Sequence, residues 1–278
     1  MRTLFTLFVV SCAMCLACSR ARGYELRGQI LAVDRARQEI TIKHEDIRGF
    51  MPGMTMPFKV RDPQLFEGRE PGDLVNATLV VEDSHAYLTS IVRTGHAELT
   101  APPPPPRVDL LEPGQPVPDV RLTDEAGTTR ALSQRRGRIV VVTFTYTRCP
   151  MPDFCPRMDQ QFKKVQSEIL ADTGMRDRVA LLSVSFDPTF DTPQVLAAHA
   201  QRAGADPRVW HFVTGERDAI ADFASRFGIA IIREGSDAAD ITHNLRTAVI
   251  ASDGALLTIL NGNDWTPAEL MRALRQAH

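Results

Sequence analysis

Two rhythms of apolar and polar residues divide the chain. Between residues 24 and 99 the segments YELRGQILAVD, EITIKHE, MTMPFKV, DLVNATLVVE and AYLTSIVRTG alternate apolar with polar positions, and Gly, Asp and Pro stand between them. Short runs of period two are the pattern of half-buried strands. Five of them in so short a span predict a small all-β barrel, closed or partly closed. From about residue 113 the rhythm changes. RIVVVTFTY is a nearly unbroken apolar run, as expected of a parallel strand buried on both faces. In PRMDQQFKKVQSEIL, which follows, Met158, Phe162, Val165 and Ile169 recur at helical spacing.

The same alternation continues to the end. VALLSVSF and VWHFVT read as further strands. DTPQ opens a helix, with Thr192 as cap and Pro193 at the first helical position. RDAIADFASRFG is a helix stopped by Gly228. TAVIASDGALLTIL is a hairpin turning at Asp253 and Gly254, and Thr266 with Glu269 forms a capping box that starts the last helix. This order predicts an α/β domain with a mixed sheet and helices on both faces, as in thioredoxin-like folds.

Between the two rhythms lies TAPPPPPR, residues 100 to 107, whose five consecutive prolines favour extended polyproline II and continue neither a helix nor a central strand. The expected organisation is a leader over 1–22, the barrel over 24–99, a linker over 100–112 and the α/β domain over 113–278. The leader, MRTLFTLFVVSCAMCLACSR, joins a basic Arg2 to an apolar run from Leu4 to Ala17, the anatomy of a secretory signal peptide and too short for a membrane span. CLAC, ending at Cys18, resembles a bacterial lipobox with Cys15 where Leu is usual. Lipidation of Cys18 would leave an exported, periplasmic protein anchored to the membrane; cleavage after Ala17 or Ala21 would leave a soluble one. A net charge of -2 and 44% hydrophobic residues give neither a nucleic-acid footprint nor an acidic tail.

Of the chain's five cysteines, Cys12, Cys15 and Cys18 belong to the leader, so the mature body keeps Cys149 and Cys155. In an oxidising compartment such a pair is a disulfide, a redox couple or a metal site. Cys149 follows the buried strand and Cys155 precedes the helix that starts near Pro156. That loop lies at the carboxyl edge of the sheet, where ligands bind in α/β folds. A helix N-terminus also favours the thiolate that metals and disulfide exchange both require. Among the seven histidines, His199 is mid-helix, His211 is in a strand and His278 is terminal, each with an ordinary structural explanation. His243, just before the hairpin strand, is expected near the cysteine loop.

In the barrel, Ile40, Ile42 and His44 share one strand face, and Met54, Met56, Phe58 and Val60 share another. If both faces point inward, an imidazole and two thioethers converge at one end. That donor set suits Cu(I) and is poor for zinc or magnesium; core packing is the alternative for methionines at this spacing. HEDIRGFMPGMTMPF resembles the CusF-like periplasmic copper-binding domain, and the likeness covers most of residues 26 to 95. It implies an OB-like barrel with His44, Met54 and Met56 as Cu(I) ligands. Met51 stands where the best-known members carry a tryptophan over the ion, so it either covers the site or adds a sulfur.

The second domain is similar to the Sco/SenC family of copper-binding, thioredoxin-like proteins from about residue 113 to 276. The likeness is carried by TFTYTRCP with its second cysteine, by SFDPTFDTP (Asp187, Pro188, Asp191, Thr192, Pro193), and by an Asp-x-x-His element from Asp240 to His243. It implies a copper site of Cys149, Cys155 and His243, able to hold Cu(I) and to accommodate Cu(II), with Asp240 supporting the histidine. The departure is the loop itself: five residues, PMPDF, separate the thiols where the family has three. The resulting expectation is a copper metallochaperone delivering to a respiratory oxidase subunit or another copper protein, rather than an enzyme. The alternatives are a thiol–disulfide oxidoreductase and a sequestering protein for copper resistance. Thioredoxin-type oxidoreductases place a proline before the hairpin strand, whereas no proline occurs here between Pro207 and Pro267 and His243 lies in that region.

Overall fold

Alternation in the first half builds a barrel. The computed structural model describes residues 21–82, 85–99, 109–233 and 241–277. Strands β1 (Arg22–Asp34), β2 (Glu39–His44), β3 (Met54–Val60), β4 (Asp73–Val81) and β5 (Ala86–His96) close in the order β1-β2-β3-β5-β4. All neighbours are antiparallel except β3 and β5, whose parallel pairing of Lys59 with Tyr87 and Val60 with Leu88 completes the ring. This is the OB-like arrangement. Every second residue of β3 is buried, from Met54 through Met56 and Phe58 to Val60, so the interior is filled by one face of each strand. Gly28 is required where β1 crosses β2: a Cβ there would run into the Lys43 carbonyl oxygen and lie 2.6 Å from Ile42 Cγ2.

The second half forms a seven-stranded sheet. Its strands are β6 (Arg121–Asp124), β7 (Thr129–Ala131), β8 (Ile139–Thr145), β9 (Val179–Ser185), β10 (Trp210–Thr214), β13 (Arg246–Ile250) and β14 (Leu256–Asn261). A separate two-stranded ribbon pairs β11 (Ile231–Arg233) with β12 (Ile241–His243). The sheet order is β14-β13-β8-β9-β10-β6-β7, with β8, β9 and β10 parallel and β13 and β6 antiparallel to their neighbours. Every residue of β8 and β9 is buried, as continuous apolar runs require when both faces are covered. On one face α1 (Cys155–Ala171), α2 (Pro193–Ala203) and α4 (Pro267–Gln276) pack Phe162, Leu196 and Leu270 around Trp210. On the other, α3 (Arg217–Arg226) packs Ile220 and Phe223 against Phe144 and Val184.

The thioredoxin-like α/β reading and the small all-β barrel both hold. Thr192 and Thr266 cap their helices as expected, the latter in a capping box with Glu269. The β6–β7 hairpin and the β11–β12 ribbon are additions that the sequence pattern does not signal. The leader with Cys18, the proline run, Asp240 and His278 lie outside the described residues. Among the described residues no helix is long and apolar enough to cross a membrane.

Candidate metal centre

At one end of the barrel, backbone pairing gathers soft donors. His44 pairs directly with Met54, and Ile42 with Met56, across the β2–β3 ladder. Facing pairs in such a ladder hold their side chains within contact of one another. His44, Met54 and Met56 are each buried to 6% exposure or less, and so is Met51, held by a tight turn in which Ile47 and Met51 exchange backbone hydrogen bonds of 2.8 and 3.1 Å. His44 Nδ1 lies 2.7 Å from the Glu45 carbonyl oxygen. A carbonyl only accepts, so Nδ1 carries the proton and Nε2 the lone pair a metal would use.

The cysteine loop is built differently. Helix α1 begins at Cys155 itself, one residue ahead of Pro156, with no side chain capping its first turn. Cys149 and Cys155 are free thiols, the first half-buried and the second buried. The Cys155 S–H donates to Cys149 and holds its thiol below the ordinary range, overcoming the upward push of burial; the Cys155 N–H and the Tyr146 hydroxyl add to the effect. Burial and the neighbouring Cys149 push Cys155 well up. The two thiols are thus pushed apart, Cys149 being the one that gives up its proton more easily.

The segment leading into Cys149 is clamped. Buried Asp191 accepts from Thr147 N at 3.0 Å, from Thr147 Oγ1 at 2.5 Å and from Ser185 Oγ at 2.5 Å. Arg148 donates to Asp187 at 2.6 Å and stacks over Phe190 with its guanidinium carbon 4.1 Å from the ring centre. The SFDPTFDTP stretch therefore fixes the two residues before the first cysteine.

His243 closes β12, opposite Ile231. Its ring lies against Phe186 at 4.5 Å and Tyr146 at 5.9 Å between centroids. Burial lowers its pKa to about 4, so it is neutral at pH 7; the Asn244 carbonyl, 3.1 Å from Nδ1, acts weakly in the other direction. As in His44, the next residue's carbonyl takes the Nδ1 proton and leaves Nε2 as the donor atom. Tyr146 touches both Cys149 and His243, which places them on one side of the loop. The cysteines and His243 do not gather to within 4.8 Å of one another. Among the described residues only Glu70, Asp73 and His96 form such a trio of His, Cys or acidic groups, and there Arg93 Nε already sits 2.8 Å from Asp73.

The two regions meet at the loop. Met151, two residues after Cys149, is 4% exposed and packs in the barrel's apolar cluster with Met51, Met54 and Met56. Cys149 and Phe154 lie against the same cluster. Asp153 fixes the contact: its Oδ2 accepts from Ala86 N of β5 at 2.7 Å, and its carbonyl accepts from Asn263 Nδ2 at 2.6 Å. Met56, Pro57 and Lys59 line a cleft of about 680 Å³ opposite Met151, Asp153 and His243. Met151 and Asp153 have no motif of their own in the sequence, and Tyr146 appears only within TFTYTRCP without a stated role. The one signal for Met151 is the extra length of the loop that holds it.

Residues 110–278 match the SCO1/SenC family model, and residues 23–93 match that of the copper binding periplasmic protein CusF. A SCO1/SenC family lipoprotein from Bacillus anthracis is 22% identical, with a TM-score of 0.53 over 60% of this chain and 98% of its own. Arabidopsis thaliana ScoI, solved with copper bound, is 18% identical, with a TM-score of 0.50 over 58% and 99%. BsSco, described as having a disulfide switch and as a member of the Sco family of cytochrome c oxidase assembly proteins, is 24% identical, with a TM-score of 0.50 over 61% and 97%. No curated protein matches the chain in sequence. With its family match running from residue 110 to the C-terminal His278, more than half its length, the chain belongs to the SCO1/SenC family.

Proposed function

We propose that the protein is an exported copper metallochaperone with two copper sites, one formed by His44, Met54 and Met56 and the other by Cys149, Cys155 and His243. The observation that carries this reading is that Met56 and His243 border one cleft, with soft donors behind each. Both imidazoles present Nε2 as the donor, and the thioethers and the low thiol of Cys149 are the soft ligands that Cu(I) prefers. Closing the second site requires His243 to move toward the thiols. It closes a two-stranded ribbon outside the main sheet, and the move would exchange its packing on Phe186 and Tyr146 for contact with the thiols. Asp240 would support His243 from the connection into that ribbon.

The recipient, on this reading, is the copper centre of a respiratory oxidase, the role named for the Sco relative BsSco. Lipidation at Cys18 would hold the protein at the periplasmic membrane face. The second reading, a thiol–disulfide oxidoreductase, is favoured by two free thiols in hydrogen-bond contact, one of them held below the ordinary thiol range. Copper-loaded protein mixed with an apo oxidase copper domain, beside an insulin-type reduction assay, separates the two. Stoichiometric copper transfer with no turnover of disulfides is expected. Catalytic disulfide reduction without copper transfer would establish the enzyme instead.

A further inference from the structure

The longer loop between the cysteines does more than accommodate extra residues. Of PMPDF, Met151 is buried among the barrel's methionines, Phe154 packs on the same cluster, and Asp153 is hydrogen-bonded to the barrel strand at Ala86. Every non-proline residue of the insertion thus faces the barrel. A methionine two positions from Cys149, buried in the cluster that holds Met51, Met54 and Met56 and lining one cleft with Met56, is a fourth thioether beside the barrel site, brought from the other half of the molecule.

We propose that Met151 supplies a thioether ligand shared between the two sites, so that Cu(I) held by His44, Met54 and Met56 passes to Cys149 and Cys155 within one molecule, across the Met151 loop. This rests on the copper reading of both sites. The step is a ligand exchange: copper–sulfur bonds to Cys149 and then Cys155 form as the bonds to Met54, Met56 and His44 break, copper stays Cu(I), and each cysteine that still carries its proton gives it to solvent as its bond forms. Exchange from neutral thioethers to anionic sulfur runs toward the stronger donor. Met151 is 4% exposed, so its thioether is shielded from most of the water in the cleft.

The test uses the full chain with methionine ε-methyl groups labelled with carbon-13. In Cys149→Ser/Cys155→Ser protein, one equivalent of Cu(I) is expected to shift the Met151 methyl as strongly as those of Met54 and Met56. Met158, Met175 and Met271, buried in the other core, serve as internal controls. Met151→Leu, which conserves volume, is expected to weaken Cu(I) binding by that protein about tenfold against a chelator. With both cysteines present, the same substitution is expected to slow the rise of copper–thiolate absorption by about tenfold. Shifts at Met54 and Met56 with an unmoved Met151 overturn the inference, as does an unchanged transfer rate. If no methyl moves at all, the copper reading of the barrel itself fails and this inference fails with it.

Discussion

The barrel and the cysteine loop gather their soft donors by opposite routes. In the barrel the donors are neutral, and each is fixed by a strand register that also makes the core, so the site is a by-product of a closed sheet. In the loop the donors include a thiol whose proton is loosened by its neighbours, and no ladder fixes it; polar clamps from Asp191 and Asp187 hold the approach to Cys149 instead. On the copper reading proposed above, a neutral, pre-formed site would exchange Cu(I) readily, whereas the cysteine site would bind it more strongly after losing protons and drawing in His243. That contrast would favour flow from barrel to loop.

The largest expected effect is at the thiols. Cys149→Ser or Cys155→Ser should weaken copper at the loop by at least about a thousandfold, or about 4 kcal/mol, and leave the barrel's copper in place, measured by chelator competition. Equal losses in both regions would break the comparison. Next comes the clamp: Asp191→Ala strands the buried donors of Thr147 and Ser185 and should cost about 3 kcal/mol. Calorimetry should show that loss in the α/β region, and hydrogen exchange should show the barrel strands still protected.

A smaller effect is expected where the halves meet. Asp153→Ala leaves Ala86 N without its acceptor and should cost about 1–2 kcal/mol, seen as faster exchange of the Ala86 amide. The smallest concerns acid. Burial alone would raise the pKa of Asp73, but its hydrogen bonds to His96 and Glu70 N and the charges of Arg93 and His96 hold it below the ordinary carboxylate range. A group depressed on folding stabilises the barrel above its unfolded pKa of about 4 and loses that contribution as pH falls below it. Asp73→Asn should therefore flatten the acid limb of barrel unfolding and leave the α/β limb unchanged.

What was legible in the sequence follows from how each feature is made. His44, Met54 and Met56 could be placed together because period two and a short turn fix strand faces locally. Cys149 and Cys155 could be placed because a buried strand followed by a helix puts their loop at the sheet edge. The β6–β7 hairpin and the β11–β12 ribbon were not legible, since three or four residues carry no period. Met151 was not legible either: between two prolines it has no rhythm, and its partners lie about a hundred residues earlier in another fold. The Asp191 clamp on Thr147 is likewise a contact between distant loops, visible in sequence only as part of a motif without a stated role.

The most direct test of two sites in one chain is a Cu(I) titration of the reduced protein against a chromophoric chelator. Two equivalents are expected for the unaltered chain. One should remain in Cys149→Ser or His243→Ala, and one in Met54→Leu/Met56→Leu, whose packing is conserved. Uptake of a single equivalent, or cysteine variants that still take up two, would contradict the assignment.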